Sequence, residues 1–252
     1  MASSHGLLAG RIAVITGAAG GIGSAIARAY AAEGARLALL DRTRERQAAL
    51  AKELAGRGAE VVTAGADLRD ESEIEAAFAE IDERLGRPDI LVNNAGIDTT
   101  SLLVDMPTAM WDEMIAVNLR SVFLATRAVL PAMLAQRWGR IINTASQLGH
   151  KGAAEMVHYS AAKAGVIGFT RALAYEVAAQ GVTVNAVCPG PIDTPMLRAL
   201  PGAWLDRKRG ELPIGRFGHV EEIAPAYVLL ASEQGSFFVG STININGGDY
   251  MI

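Results

Sequence analysis

Cysteine is almost absent from this sequence: Cys188 is the single one among 252 residues. No disulfide can form within the chain, which fits a reducing compartment. Its setting, VNAVCPG, marks a buried strand end rather than a reactive thiol. Histidine is scarce as well. His5, His150, His158 and His219 fall in no helix-spaced or cysteine-associated pattern, so no metal site is expected. Basic charge is not in excess, since 23 Lys and Arg against 27 Asp and Glu leave a net charge of -4. That balance gives no footprint for nucleic acid and no polybasic patch for a membrane surface. No run reaches the eighteen or so apolar residues that a membrane span needs. The opening MASSHGLLAGR lacks the charged and apolar regions of a secretion signal. A cytoplasmic protein without nucleic-acid or membrane partners is expected.

What is present is a regular alternation. Half of the residues are hydrophobic and 20% are charged, which suits a globular fold with a large core. From Arg11 the chain reads RIAVITGAAGGIGSAIARAYAAEGARLALLDR: a β-branched run, a glycine cluster, a helix-period segment, Gly34 as a stop, and a second apolar run. This is a βαβ unit. Apolar runs then recur at EVVTAGADL, DILVNNAGI, WGRIINTAS, VTVNAVCPG and TININGG, separated by longer segments. The expected fold class is α/β: a single domain over residues 1–252, with a doubly wound, seven-stranded parallel sheet and helices on both faces. Helical periodicity over TAMWDEMIAVNLRSVFLATRAVLPAMLAQRW is expected to break near Asn118, an unfavourable residue inside a helix. Either a local kink there opens a carbonyl to the site, or the amide lies on the surface.

The glycine spacing, Gly17, Gly21 and Gly23, differs from the usual G-x-G-x-x-G pattern, but the physical demand is the same. Backbone without side chains turns tightly, approaches a pyrophosphate and presents helix N-terminal amides to it. Asp41 ends the next strand, where a carboxylate accepts from adenosine ribose hydroxyls and repels a 2′-phosphate. NAD is therefore expected over NADP, with Arg42 the residue that leaves NADP open. Asn93 and Asn94 at the exit of DILVNN either hold backbone open beside a ligand or form a turn.

The segment SQLGHKGAAEMVHYSAAK, residues 146–163, carries the chemistry. Tyr159 and Lys163 are four apart at the start of a long helix and so share a face. An ammonium beside a phenol favours the phenolate and makes a usable acid or base. Ser146, at the end of RIINTAS, brings a hydroxyl to the carboxyl edge of the sheet, where it can hold a substrate oxygen.

Together, Thr16-Gly17-x-x-x-Gly21-Ile22-Gly23, Asn93-Asn94-Ala95-Gly96, Asn118, Ser146, Tyr159-x-x-x-Lys163 and Pro189-Gly190 resemble the short-chain dehydrogenase/reductase family from about Leu8 to Gly248. The resemblance implies a catalytic tetrad of Asn118, Ser146, Tyr159 and Lys163. It implies that Asp67 and Leu68 flank the adenine, Asn94 and Ala95 line the adenosine side, and Ile192 and Thr194 meet the nicotinamide. It also implies a homotetramer, which the apolar tail and the small residues of the helix after Tyr159 suit. A lid over residues 191–220 is expected, with Met196, Leu197, Leu200 and Trp204 facing Gln147, His150 and Met156 across the substrate. Arg198, Arg207, Lys208 and Arg209 read as a solvated face. The expected reaction is hydride transfer between NAD and a secondary alcohol or ketone, such as a polyol, sugar or cyclic alcohol. The alternatives are an NADPH-dependent reductase of ketones or 3-oxoacyl thioesters, and a non-catalytic dinucleotide sensor.

Overall fold

The computed structural model describes residues 6–200 and 202–251. The first half of the chain forms β1 (Ile12–Thr16), α1 (Gly21–Ala32), β2 (Arg36–Asp41), α2 (Ala48–Gly56), β3 (Val61–Gly65), α3 (Glu71–Leu85) and β4 (Ile90–Asn93). There follow α4 (Thr108–Ile115), α5 (Ser121–Gln136), β5 (Gly139–Thr144), α6 (Leu148–Lys151), α7 (Val157–Val177) and β6 (Val182–Pro189). The chain closes with α8 (Pro195–Arg198), α9 (Gly202–Glu211), α10 (Val220–Ala231) and β7 (Thr242–Ile245). The seven strands form one parallel sheet in the order β3-β2-β1-β4-β5-β6-β7.

Alternation along each strand divides the core in two. Ile12 and Val14 of β1, with Ala38 and Leu40 of β2, pack beneath α3, α5 and α7. Their neighbours Ala13, Ile15, Leu37 and Leu39 face α1, α2 and α10 on the other side. Burial on both faces is why the strands read as unbroken apolar runs rather than polar–apolar alternations. Helix ends obey local chemistry. Asp70 accepts from the amides of Ser72 and Glu73 to start α3, and Gly86 at φ 102° follows its last turn.

One expectation changes here, and one open alternative is decided. From Thr108 to Gln136 the chain is helical throughout, and this helix is long and apolar enough to cross a membrane, contrary to the expectation from sequence. Half of its most apolar part is buried inside this domain, and Leu124, Ala125, Val129 and Met133 belong to the core under the sheet. The break at Asn118 is a single π-helical turn, Ala116–Arg120, and Asn118 is fully buried rather than on the surface. A widened turn of this kind makes room for an inserted side chain and recurs at functional sites.

Strand order reverses direction between β1 and β4. The connections after β1 run to one edge of the sheet and those after β4 to the other, which leaves a crevice outside the carboxyl ends of the strands.

Candidate active site

The crevice is a cleft of about 900 Å³ walled by the exits of β1, β2, β4, β5 and β6 and roofed by α8 and α9. At its floor, Gly17 takes φ 63°, and a Cβ there would stand 2.7 Å from the Cα of Ala95. A Cβ on Gly23 would come within 2.3 Å of the Gly17 carbonyl oxygen. Only glycine fits either place. Thr16 Oγ1 accepts from the amides of Asn94 and Ala95 at 3.0 and 3.1 Å, and Asn94 Nδ2 donates to the carbonyls of Thr16 and Gly17. The glycine turn is thus tied to the exit of β4, and its backbone is bare toward the cleft. That shape suits a pyrophosphate over the start of α1.

Asp41 is buried at the end of β2; its Oδ2 accepts from Ala19 N at 3.1 Å and its Oδ1 from Arg42 N at 2.8 Å. Arg46 Nη1 lies 3.1 Å from the same Oδ1. Arg42 lines the cleft with an exposed side chain. Every residue expected at the cofactor, from Gly17 to Thr194, lines this one cleft. Asn93 does not. It is buried behind the wall, with Nδ2 donating to Thr126 Oγ1 and Asn143 Oδ1, and Asn143 in turn donating to Thr170 of α7. This buried chain of polar groups fixes α7 against β4 and β5.

At the centre, Ser146, Tyr159 and Lys163 converge. Lys163 is 4% exposed, and its Nζ donates to the Thr144 carbonyl at 2.8 Å. Burial pushes its pKa down to about 8. Burial also drives the Tyr159 phenol above its ordinary range; the charge of Asp98 adds to this, and a hydrogen bond with Ser146 works against it. The Ser146 hydroxyl accepts from Leu148 N at 3.1 Å, which turns α6 away and leaves the oxygen beside Tyr159. The phenol of the free protein is thus held above its ordinary range, where Lys163 was expected to lower it.

Asn118 lies behind the wall rather than in it. Its Oδ1 accepts from Ile97 N and its Nδ2 donates to Ile97 O, both at 2.9 Å. It holds the segment after β4 in place and is a positioning residue. Among the expected substrate contacts, Gln147 and Met156 line the cleft, as do Leu197, Leu200 and Trp204. His150 does not: it stacks on Tyr250, with centroids 5.3 Å apart, and its Nε2 lies 3.5 Å from Cys188 Sγ. The backbone of Met196 is in α8, but its side chain lies outside the described residues. Cys188 is core, as expected, its thiol pushed up to about 11 by burial.

The basic residues of the lid do not all behave as a solvated face. Arg198 pairs with Asp193 and Arg209 with Asp206 on the outside. Lys208, however, is only 14% exposed, and its Nζ lies 2.7 Å from Asp249 Oδ1. Lys151 Nζ reaches the same oxygen at 2.8 Å, and the Gln147 amide donates to Asp249 Oδ2. Asp249 joins lid and catalytic loop across about a hundred residues of sequence, so no local pattern announces it. Asp98, in the cleft wall, could have been found. It lies two residues after Gly96, on the segment that follows the β4 exit.

A family model for short chain dehydrogenases matches residues 11–203. The chain is 42% identical over 244 residues to a 3-oxoacyl-(acyl-carrier-protein) reductase, FabG, of Pseudomonas aeruginosa, covering 97% of this chain and 99% of that protein. It is 45% identical over 239 residues to nodulation protein G of Azospirillum brasilense, covering 94% and 97%. A short-chain type dehydrogenase/reductase from Mycobacterium marinum, 36% identical, superposes with a TM-score of 0.92 over 96% of each chain. With the Ser-Tyr-Lys centre, the glycine turn and the reversal of strand order all in one cleft, the chain belongs to the short-chain dehydrogenase/reductase family of oxidoreductases.

Proposed function

We propose that the protein interconverts a secondary alcohol and its ketone with NAD(H) as the preferred cofactor. The observation that carries the cofactor choice is Asp41, a buried carboxylate at the cleft edge of β2. A carboxylate there accepts from two ribose hydroxyls and repels a 2′-phosphate. When bound, the nicotinamide supplies the hydride acceptor or donor. Tyr159 exchanges a proton with the substrate oxygen, Ser146 holds that oxygen by its hydroxyl, and Lys163 supplies positive charge beneath both. Leu197, Leu200 and Trp204 close the cleft against water.

The test is initial-rate kinetics over a panel of secondary alcohols with NAD and with NADP. A kcat/KM at least about tenfold higher with NAD, lost in Asp41→Ala, is the expected result, since removing one charge repulsion of about 1.4 kcal/mol is worth a factor of ten. Preference for NADP in the unaltered protein would refute it.

A second reading, reduction of 3-oxoacyl thioesters with NADPH, is supported by the similarity to FabG of Pseudomonas aeruginosa and by Arg42 and Arg46 beside Asp41. Acetoacetyl-coenzyme A with NADPH is its assay. For assembly, we propose a homotetramer in which α7 contributes an uncovered face: Ala161, Ala164, Gly168 and Ala172 are exposed at helical spacing, and Tyr175 is 93% exposed at its end.

A further inference from the structure

Tyr227 of α10 is fully buried and does not line the cleft, yet its phenol ends on a residue that does. Its oxygen lies 2.7 Å from Thr144 Oγ1. Thr144 closes β5, and its carbonyl accepts from Lys163 Nζ. Its hydroxyl also faces Asn94 Oδ1 at 3.5 Å. A side chain of α10 therefore grips the residue that stands between the lysine and the glycine turn.

The protons along this chain of contacts can be assigned. Asn94 Nδ2 donates to the carbonyls of Thr16 and Gly17 at 3.1 and 3.2 Å, which turns Oδ1 toward Thr144. A carboxamide oxygen only accepts, so the single proton of the Thr144 hydroxyl goes there. The donor in the 2.7 Å bond is then the Tyr227 phenol, which burial keeps protonated by holding it above its ordinary range. The short bond fixes the Thr144 oxygen, and the long one is aimed by it. Tyr30 of α1 in turn donates to the Tyr227 carbonyl at 3.0 Å. The circuit closes on one helix: it leaves the glycine turn at the start of α1, passes through Asn94, Thr144 and Tyr227, and returns to α1 at Tyr30.

Packing alone does not ask for the phenol oxygen. Tyr227 belongs to an apolar cluster with Ile15, Ile223 and Leu230, where phenylalanine would fill the space. A buried hydroxyl costs free energy unless it is bonded, so its presence follows from the partner it meets. We infer that Tyr227 is a positioning residue for the dinucleotide: its hydroxyl fixes Thr144, Thr144 orients the Asn94 carboxamide, and the carboxamide holds the glycine turn open to the pyrophosphate. Because the Thr144 carbonyl also receives Lys163, the same bond keeps the lysine's acceptor in register with the turn. The inference rests on the dinucleotide reading of the cleft and not on which alcohol is used.

The experiment titrates NADH and NADPH by fluorescence and follows whichever the unaltered protein binds more tightly. In Tyr227→Phe its Kd should rise about 3- to 10-fold, the worth of one neutral hydrogen bond. Thr144→Val should give a similar rise from the other side, while Thr144→Ser, which keeps the hydroxyl, should bind as the unaltered protein does. With both Tyr227→Phe and Thr144→Val in one chain, Kd should rise no further than in Thr144→Val alone, since the path is already cut. Melting temperatures and circular dichroism are read on every variant. A lower melting temperature in Tyr227→Phe with Kd unchanged within about twofold overturns the proposal and makes the phenol a matter of stability alone; so does a double variant in which the two effects add. Should Tyr227→Phe not fold, the threonine variants decide, and a Thr144→Val that binds as tightly as Thr144→Ser overturns the proposal. Binding of neither dinucleotide by the unaltered protein sinks the reading of the cleft itself, and the role of Tyr227 with it.

Discussion

The Lys163 ammonium stands 5.7 Å from the centroid of the Tyr159 ring, one helical turn away, while its hydrogen bond goes to the Thr144 carbonyl. In the free protein the first proton leaves the desolvated lysine, whose pKa is pushed down to about 8, while burial holds the phenol above its ordinary value. Alcohol oxidation needs the pair to accept a proton. Its kcat/KM should therefore rise about tenfold per pH unit below 8 and level off above. In Lys163→Met the inflection should move toward higher pH, where the phenol alone titrates. A profile flat from pH 6 to 10 in the unaltered protein would separate the pair from the reaction.

Tyr159→Phe removes the proton carrier and leaves the glycine turn untouched. Turnover should drop by about 10²–10⁴-fold, the usual contribution of a positioned general acid or base. Dinucleotide affinity, read by fluorescence titration, should stay within a factor of about three. Retained turnover would shift the proton transfer to another group.

Gly23 tests the cofactor cradle. Its Cβ would lie 2.3 Å from the Gly17 oxygen and 2.8 Å from Asn94 Nδ2, and neither atom can retreat without loosening the link from β1 to β4. Gly23→Ala should cost about 1–3 kcal/mol of stability, the range for overpacking. Cofactor affinity should fall with it. Gly168→Ala is the contrast: nothing lies within 4 Å of that Cβ inside α7, so the isolated chain should gain about 1 kcal/mol of helix propensity. Gly168→Glu should lower the sedimentation coefficient if that face is covered in a tetramer.

The parts of this site that follow from local chemistry were readable in the sequence. The glycine turn, Asp41, Ser146 and the Tyr159–Lys163 pair each sit at a strand exit or helix start that adjacent residues define. Asn118 was half readable: an asparagine among apolar neighbours signals a break, but its partner is the backbone of Ile97, which only the fold brings near. Asp249 and Lys208 were not readable, because their meeting depends on where α9 docks. His150 was misplaced for a similar reason: a residue four beyond Ser146 points away once α6 forms, and Tyr250 of the tail captures its ring.

Asp98 also leaves a mark on stability. Burial raises its carboxyl from 3.8 to about 6, with Lys163 and the Thr99 amide opposing the shift. The folded state then binds the proton more tightly than the unfolded chain, so stability falls as pH rises from about 4 to 6 and the loss persists above. Two pH units at about 1.4 kcal/mol each, reduced for the part of the side chain still exposed, leave about 1–2 kcal/mol. Asp98→Asn should be more stable than the unaltered protein by that amount at pH 7 and indistinguishable from it at pH 4 in urea titrations. A constant difference across this range would mean the gain has nothing to do with ionisation.

The last prediction concerns how the lid is held. Asp249 is nearly buried, and although burial opposes its ionisation, Lys151, Lys208 and Gln147 together hold its carboxyl below the usual range. Two of these partners lie in the catalytic loop next to Ser146, and the third lies on α9 above the cleft. Losing the carboxylate should free α9 first, because Lys208 keeps only Glu211, itself half exposed, as a partner. In Asp249→Asn, KM for the alcohol should rise about tenfold or more, the worth of one charge-assisted hydrogen bond. The value of kcat should change less, since Ser146, Tyr159 and Lys163 keep their own contacts. Lys208→Met should reproduce the rise in KM, whereas Lys151→Met should also disturb kcat, because it lies on the loop that carries Ser146. Equal loss of kcat and KM effects in all three would place Asp249 in the general stability of the fold rather than in the closure of the lid.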